Sequence, residues 1–385
     1  MSSAHPQHAP AVENQPTIPV ERLPAALAGV LHIYVAFDWG DEILLNRARK
    51  LVPAEVHELS RRRRTPSSIT YRPAPLRIRL PAADMDLPEL GRVQAAAEAT
   101  IFDFAAVSLA LHVPFCLSPS CLLRLADWFA NPADLVKKAR STLQPLHEQL
   151  LPAIQSPLWQ DELSEEYLVF QLPPGQHAPS AGPALDSQGS WLARLVRLEP
   201  GPLSPEEITE ALRLRIRYSP DDFFAPDWAA AVLLDQDCEE TLQTVEFANL
   251  QLLEFRHIDN RLDDRLAVAY QIIHTLAQSW LPFWRSHGRT LRSLGELKVE
   301  ANGLFERTEN VLKLVGDQYL ARVYRLMAER FHLREWEEGI LRKLEVAEGV
   351  YRVVSDQTDT YRAEFLEIIV VLLIILEILL ALFRH

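Results

Sequence analysis

The feature that most restricts the fold is a run of 19 residues, 365–383, built from Phe, Leu, Ile, Val and Ala except at Glu367 and Glu377. A helix of this length spans about 28 Å, close to the roughly 30 Å of a bilayer's hydrocarbon core. Each apolar residue favours insertion by ~0.3–0.6 kcal/mol, and Glu367 lies near the helix start, within reach of the interface. Residues 363–385 are therefore predicted to form a transmembrane anchor. The alternative is a buried helix at the centre of a helical bundle.

One stripe of the predicted anchor combines small and polar side chains with steps of three and four residues. Its members are Glu367, Val370, Ile374, Glu377 and Ala381. Such stripes pack membrane helices together, because hydrophobicity does not drive association inside lipid. We therefore expect a homo-oligomer, with a lone tolerated Glu377 as the alternative. Because only two residues follow the segment, we expect a single-pass anchor inserted after synthesis, with the N-terminal body in the cytoplasm.

The part before residue 236 is predicted to contain one mixed α/β domain. Residues 1–27 are polar and Pro-rich and are expected to be a disordered tail. The domain covers residues 28–235, in which apolar positions from Leu31 to Phe37 alternate with His32, Tyr34 and Ala36 and predict a half-buried strand. Residues 173–190, rich in Pro, Gly and Ser, predict a surface loop.

Residues 236–362 change to a helical period and are predicted to form helical arms. The third arm carries a sustained seam with steps of three and four, typical of coiled coils. Its main members are Trp336, Ile340, Leu344, Tyr351, Val354 and Tyr361. Pairing within one chain and pairing between chains both remain open. The predicted class is thus α+β: a mixed α/β domain, long antiparallel or coiled-coil helices, and one C-terminal transmembrane helix.

Composition removes several classes of function. The net charge of −13 disfavours a surface devoted to nucleic acid, which needs excess Lys and Arg, although a local patch remains possible. The spacing of Cys116 and Cys121, without a further Cys or His pair, does not indicate zinc. Nucleotide-binding and hydrolase motifs such as G-x-G-x-x-G and G-x-S-x-G are absent from the sequence. We therefore expect no cofactor and no catalytic residues.

Charged clusters provide the competing interpretation, a membrane-tethered enzyme or a module that binds a nucleotide, a metal or RNA. The acidic candidates are Asp38, Asp41 and Glu42, and then Asp221, Asp222 and Asp227. Carboxylates at strand ends could hold Mg²⁺, but turn-forming Asp is commoner. The basic candidates are Arg61, Arg62, Arg63 and Arg64, either a solvated turn or a phosphate contact.

The first long helix carries a polar stripe beside its apolar one, formed by Glu246, Asn249, Arg256 and Asn260. A stripe of this kind usually makes ion pairs with a neighbouring helix. We expect the same here.

Four segments together resemble the "required for meiotic nuclear division" family of membrane proteins. They are residues 34–40, 218–228, 245–256 and 365–377. The resemblance implies an α/β domain, helical arms, a C-terminal membrane helix and self-association, with no accepted catalytic residues. The sequence departs from the family pattern in residues 173–190 and at Ala225 and Pro226.

These expectations combine into one functional hypothesis. The protein is predicted to be a non-enzymatic, tail-anchored scaffold whose partners are the lipid bilayer, further copies of itself and an unidentified protein. By resemblance, it would support translation or membrane organisation.

Overall fold

A computed structural model describes residues 25–52, 74–131, 133–159, 163–172, 174, 183–219, 222–235, 238–278, 299, 302–303 and 318–383. The strands are β1 (Leu27–Asp38), β2 (Glu42–Ile43), β3 (Leu76–Leu87), β4 (Gly91–Ile101), β5 (Ala106–Leu117), β6 (Ile154–Gln155), β7 (Ser164–Leu172), β8 (Phe223–Pro226) and β9 (Ala230–Leu234). The helices are α1 (Leu45–Leu51), α2 (Pro119–Trp128), α3 (Ala133–Leu150), α4 (Pro183–Arg197), α5 (Pro205–Ala211), α6 (Glu239–Gln278), α7 (Gln318–Arg330) and α8 (Leu333–Phe383).

Seven of the strands form one mixed sheet in the order β3-β4-β5-β1-β7-β9-β8. Neighbours pair antiparallel except β7 and β9, which are parallel and are connected through α4, α5 and β8. The short strands β2 and β6 pair separately. The predicted α+β class, with a mixed sheet in the N-terminal part and helices after it, is confirmed.

Strand β1 lies at the centre of the sheet and is buried on both faces, not on one as its alternating pattern predicts. Ile33 and Phe37 enter the core beneath helices α1–α5, whereas Tyr34 and Ala36 lie beneath α6. The prediction of a half-buried strand is wrong because Tyr and Ala are compatible with either water or a packed face. The covering helix α6 follows much later in the sequence.

Helix α6 covers the second face of the sheet, and α7 and the first part of α8 pack beside it. The expected antiparallel arrangement is wrong for these helices. Tyr324 of α7 donates a hydrogen bond to Gln251, and the Nζ atom of Lys343 in α8 lies 2.7 Å from Asp259. The contact further along the chain in α7 and α8 is also the one further along α6. The path through α7 and α8 therefore runs in the same direction as α6.

One predicted element differs from the structure, and one predicted boundary lies within a helix. The proposed surface loop, residues 173–190, overlaps α4, which begins at Pro183 and brings Trp191 into the core. The proposed boundary between residues 362 and 363 lies inside α8, a single helix of 51 residues. Residues 1–24 of the predicted tail lie outside the described residues.

Candidate functional site

The C-terminal part of α8 carries an exposed apolar surface. Nine of its large aliphatic side chains are 47–59% exposed. They are Val370, Val371, Leu372, Leu373, Ile374, Ile375, Leu376, Ile378 and Leu379. The first seven are consecutive, and at 3.6 residues per turn they cover every side of the helix. Across the described side chains, no helix meets the length and apolarity needed to cross a membrane.

The predicted seam of α8 is described in its first part. Its first part packs within the chain: Ile340 and Leu344 are buried against α6, and Trp336 packs beside them. The side chains of Tyr351, Val354 and Tyr361 lie outside the described residues. Pairing within one chain therefore accounts for the start of the seam.

The predicted packing stripe of the anchor is described only in part. Glu367, Val370 and Ile374 are exposed, and the side chains of Glu377 and Ala381 lie outside the described residues. The role of this stripe between chains stays a prediction.

The first acidic cluster is divided between a turn and a recess. Asp38 is buried and accepts a hydrogen bond from the backbone N–H of Gly40 at 3.0 Å. Asp41 and Glu42 line a recess of about 270 Å³, which Asp103 and Glu254 also line. Throughout the described parts of the chain, no group of three or more His, Cys, Asp or Glu residues is arranged to hold a metal ion.

The second acidic cluster is also divided. Asp222 accepts hydrogen bonds from the backbone N–H groups of Tyr218 and Ser219 at 2.7 and 2.9 Å, as turn-forming Asp does. Asp227 is buried elsewhere. Asp221 and the basic run from Arg61 to Arg64 lie outside the described residues.

The polar stripe of α6 bonds to the sheet and not to a neighbouring helix. Glu246 is buried and lies 3.4 Å from Arg77 of β3. The amide of Asn249 donates to the backbone carbonyl of Glu165 at 3.1 Å, and Arg256 pairs with the carboxylate of Glu165. The expected ion-pairing role is retained, but its partner is wrong because α6 lies directly on strands whose polar groups require partners.

A cavity of about 360 Å³ lies beside the start of β7 and of β9, which we call the strand-end cavity. Its lining comes from both faces of the sheet. The residues are Phe129, Ala130, Leu135, Glu165, Glu166, Leu168, Arg197, Leu198, Trp228, Ala229, Asn249, Leu252, Arg256 and Phe331. Because successive strand residues point to opposite faces, the adjacent Glu165 and Glu166 serve its two sides.

Both glutamates of the strand-end cavity are poorly solvated. Burial raises the pKa of Glu165 to about 7 although Arg256 opposes the shift. Burial also raises the pKa of Glu166, against the hydrogen bond from the Ser164 hydroxyl and the charge of Arg256. The cavity thus holds two carboxyl groups whose ionised forms are only partly compensated.

Asp227 lies next to the strand-end cavity and joins it to α7. Its carboxylate lies 2.8 Å from the Nε atom of Arg197 and 3.8 Å from Arg330. Burial nevertheless raises its pKa, and the two guanidinium groups oppose that shift. The Tyr167 hydroxyl donates to the backbone carbonyl of Asp227 at 2.9 Å, which holds the turn before β9 in place.

Sequence reasoning missed Glu165, Glu166 and Arg197 as cavity residues. Four residues of the resemblance segments do line the cavity: Trp228, Asn249, Leu252 and Arg256. A signal was present in the pair of glutamates opening an otherwise apolar strand, since charge at such a position requires a partner.

The protein is thus a mixed α+β domain with a cavity at its strand ends, extended by long helices. The chain belongs to the family described as "Uncharacterized protein MJ0711, N-terminal domain", whose pattern matches residues 28–240. It is similar to the uncharacterized protein MJ0711 of Methanocaldococcus jannaschii, with 29% identity over 195 residues, or 50% of this chain and 59% of that protein. The match thus covers less than two thirds of that relative. No solved structure matches the chain.

Proposed function

We propose that the protein is a non-enzymatic membrane scaffold, anchored through the C-terminal part of α8, that self-associates and presents its α+β domain to a partner protein. The observation that carries the proposal is the apolar surface of Val370–Leu379 on every side of the helix. Burying the exposed half of each side chain would contribute on the order of 1 kcal/mol, so this surface favours an apolar environment.

Continuity of α8 supports the scaffold role. The helix begins packed against α6, where Ile340 and Leu344 are buried, and runs without a break to Phe383. An anchor built this way holds the folded domain at a set distance from the membrane. The resemblance to the "required for meiotic nuclear division" family agrees with the same arrangement. Membership of the meiotic nuclear division family is part of the proposal, since the family pattern that matches the chain is that of the MJ0711 N-terminal domain.

Extraction of membranes at alkaline pH tests the anchor. We expect the full chain to stay with lipid, and the chain truncated after Arg362 to be released. The double substitution Leu373→Arg and Ile374→Arg should also release the protein, because each arginine costs about 2.5–3.5 kcal/mol at a membrane centre.

The matched control changes two apolar residues elsewhere on the same helix. Leu341→Arg and Val346→Arg replace side chains that are similarly exposed but lie in the first part of α8, which packs against α6. This variant should stay with lipid. Release of the full chain by alkali would refute the membrane anchor and assign the apolar surface to a protein contact. Self-association is tested by crosslinking in detergent, and undiminished crosslinking of Glu377→Leu would remove Glu377 from the contact.

A further inference from the structure

We propose that the strand-end cavity binds a cationic group, a primary ammonium or a guanidinium, carried on a short apolar chain. This inference does not depend on the membrane anchor. It rests on how the charges that line the cavity are already paired.

Both guanidinium groups that line the cavity are engaged by carboxylates. Arg256 pairs with Glu165. Arg197 lies 2.8 Å from Asp227 and 2.8 Å from Glu207. An anionic ligand would have to displace one of these carboxylates while facing a second carboxylate across the cavity.

Glu166 is the carboxylate in surplus. It accepts a hydrogen bond from the Ser164 hydroxyl at 2.5 Å, and no ion pair to it is found among the described residues. The nearby Arg330 does not correct the balance, because it also binds Glu210 at 3.1 Å. A cation next to Glu166 would add an ion pair to the hydrogen bond that the Ser164 hydroxyl already donates to this carboxylate.

Trp228 supplies a second element of cation recognition. Parallel pairing aligns Leu168 of β7 with Ala230 of β9, and two residues before each lie Glu166 and Trp228. The Trp228 ring is half exposed and is held edge-on by Phe331, with centroids 6.1 Å apart. Trp228 lies in the bend before β9 and lines the same cavity as Glu166, so a cation bound there can meet both a carboxylate and an aromatic face.

The size and the apolar lining set the rest of the ligand. A volume of about 360 Å³ is within the range of small-molecule sites. Leu135, Leu168 and Phe129 give it apolar walls, which suit a short aliphatic chain next to the charged head. The chemistry is shared by a free small amine or guanidine and by a Lys or Arg side chain of a protein partner.

Isothermal titration of the full chain in detergent tests the proposal at pH 7.5. Butylguanidine is the probe, and butylurea is its uncharged counterpart of the same shape. We expect butylguanidine to bind at least tenfold more tightly than butylurea. The substitution Glu166→Gln should reduce its affinity about tenfold or more, whereas Glu148→Gln, an exposed glutamate on α3, should leave it unchanged.

Protonation provides a readout that a purely structural role would not give. Because the ionised form of Glu166 binds the cation, affinity should fall as the pH is lowered toward 5, and this fall should be smaller in Glu166→Gln. The fall that remains in the variant belongs to Glu165, which lines the same cavity and has a pKa of about 7. A blocked tripeptide with a central Arg separates the two sources of the ligand: tighter binding than butylguanidine assigns a protein partner, and weaker binding assigns a free small molecule.

Three results would overturn the proposal. The first is equal affinity for butylguanidine and butylurea. The second is that neither butylguanidine nor the Arg peptide binds at millimolar concentration. The third is that inorganic phosphate binds and that Arg256→Gln abolishes this binding. The thermal midpoint of Glu166→Gln should not fall below the parent's, because burial disfavours the ionised form of Glu166, so a loss of affinity reports on the site and not on unfolding.

Discussion

Acid should destabilise the domain through a pair of histidines that face each other across β1 and β5. The Nδ1 atoms of His32 and His112 are 2.7 Å apart. The Nε2 atom of His32 is 2.8 Å from the side-chain oxygen of Gln171, whose amide nitrogen donates to the backbone carbonyl of Asp235. Since that oxygen accepts, His32 carries its proton on Nε2, and its Nδ1 accepts from His112.

The magnitude follows from the burial of His32. Burial lowers the pKa of His32 to about 4, with a smaller lowering from His112 and an opposing hydrogen bond to Gln171. The unfolded chain takes up this proton near pH 6.5, so between pH 6.5 and 4 it binds more protons than the folded chain. Stability therefore falls as the pH is lowered, by about 2 kcal/mol between pH 8 and pH 5 from His32 alone.

Urea unfolding of the full chain, followed by tryptophan fluorescence at pH 8 and pH 5, measures this loss. Other groups also titrate in this range, so the comparison is with His32→Gln, which should lose about 2 kcal/mol less than the parent over the same interval. The control His332→Gln changes an exposed histidine and should follow the parent. Parallel losses for the parent and His32→Gln would refute the reasoning.

Two further perturbations have equally definite outcomes. Glu165→Gln should gain on the order of 2 kcal/mol of unfolding free energy relative to the parent as the pH rises from 5 to 8, measured in the same urea assay. The reason is that burial raises the pKa of Glu165 to about 7 and disfavours its ionised form above that pH. A difference between variant and parent that does not change with pH would contradict this. Ile340→Ala should lower the free energy of unfolding by about 2–5 kcal/mol and speed proteolysis of α8, since Ile340 is fully buried against α6. The control Leu341→Ala changes the adjacent, exposed residue and should alter stability by less than about 0.5 kcal/mol. Equal effects of the two substitutions would place the α6 contact elsewhere.

Local patterns in the sequence predicted the elements whose causes are local. Alternation identified β1. The start of α5 has an equally local cause, since the Ser204 hydroxyl accepts from the N–H of Glu207 at 3.3 Å. The helical apolar run at the C-terminus was likewise readable, since it depends on one segment only.

Burial of both faces of β1 could not be read from the strand. Tyr34 and Ala36 are compatible with water or with a packed helix, and only the return of α6 across the sheet decides between them. The direction of α7 and α8 along α6 could not be predicted from the sequence either. A helical period shows which face is apolar but not which way the neighbouring helix runs.

The strand-end cavity belongs wholly to the tertiary structure. Glu165 and Arg256 are 91 residues apart in the sequence, and their contact requires α6 to lie on β7 in one register. The sequence by itself determined which residues needed partners, because charge in an apolar strand is costly wherever it lies. The tertiary structure alone decided which partners they found, because pairing strands and packing helices sets distances that no local repeat of two or 3.6 residues contains.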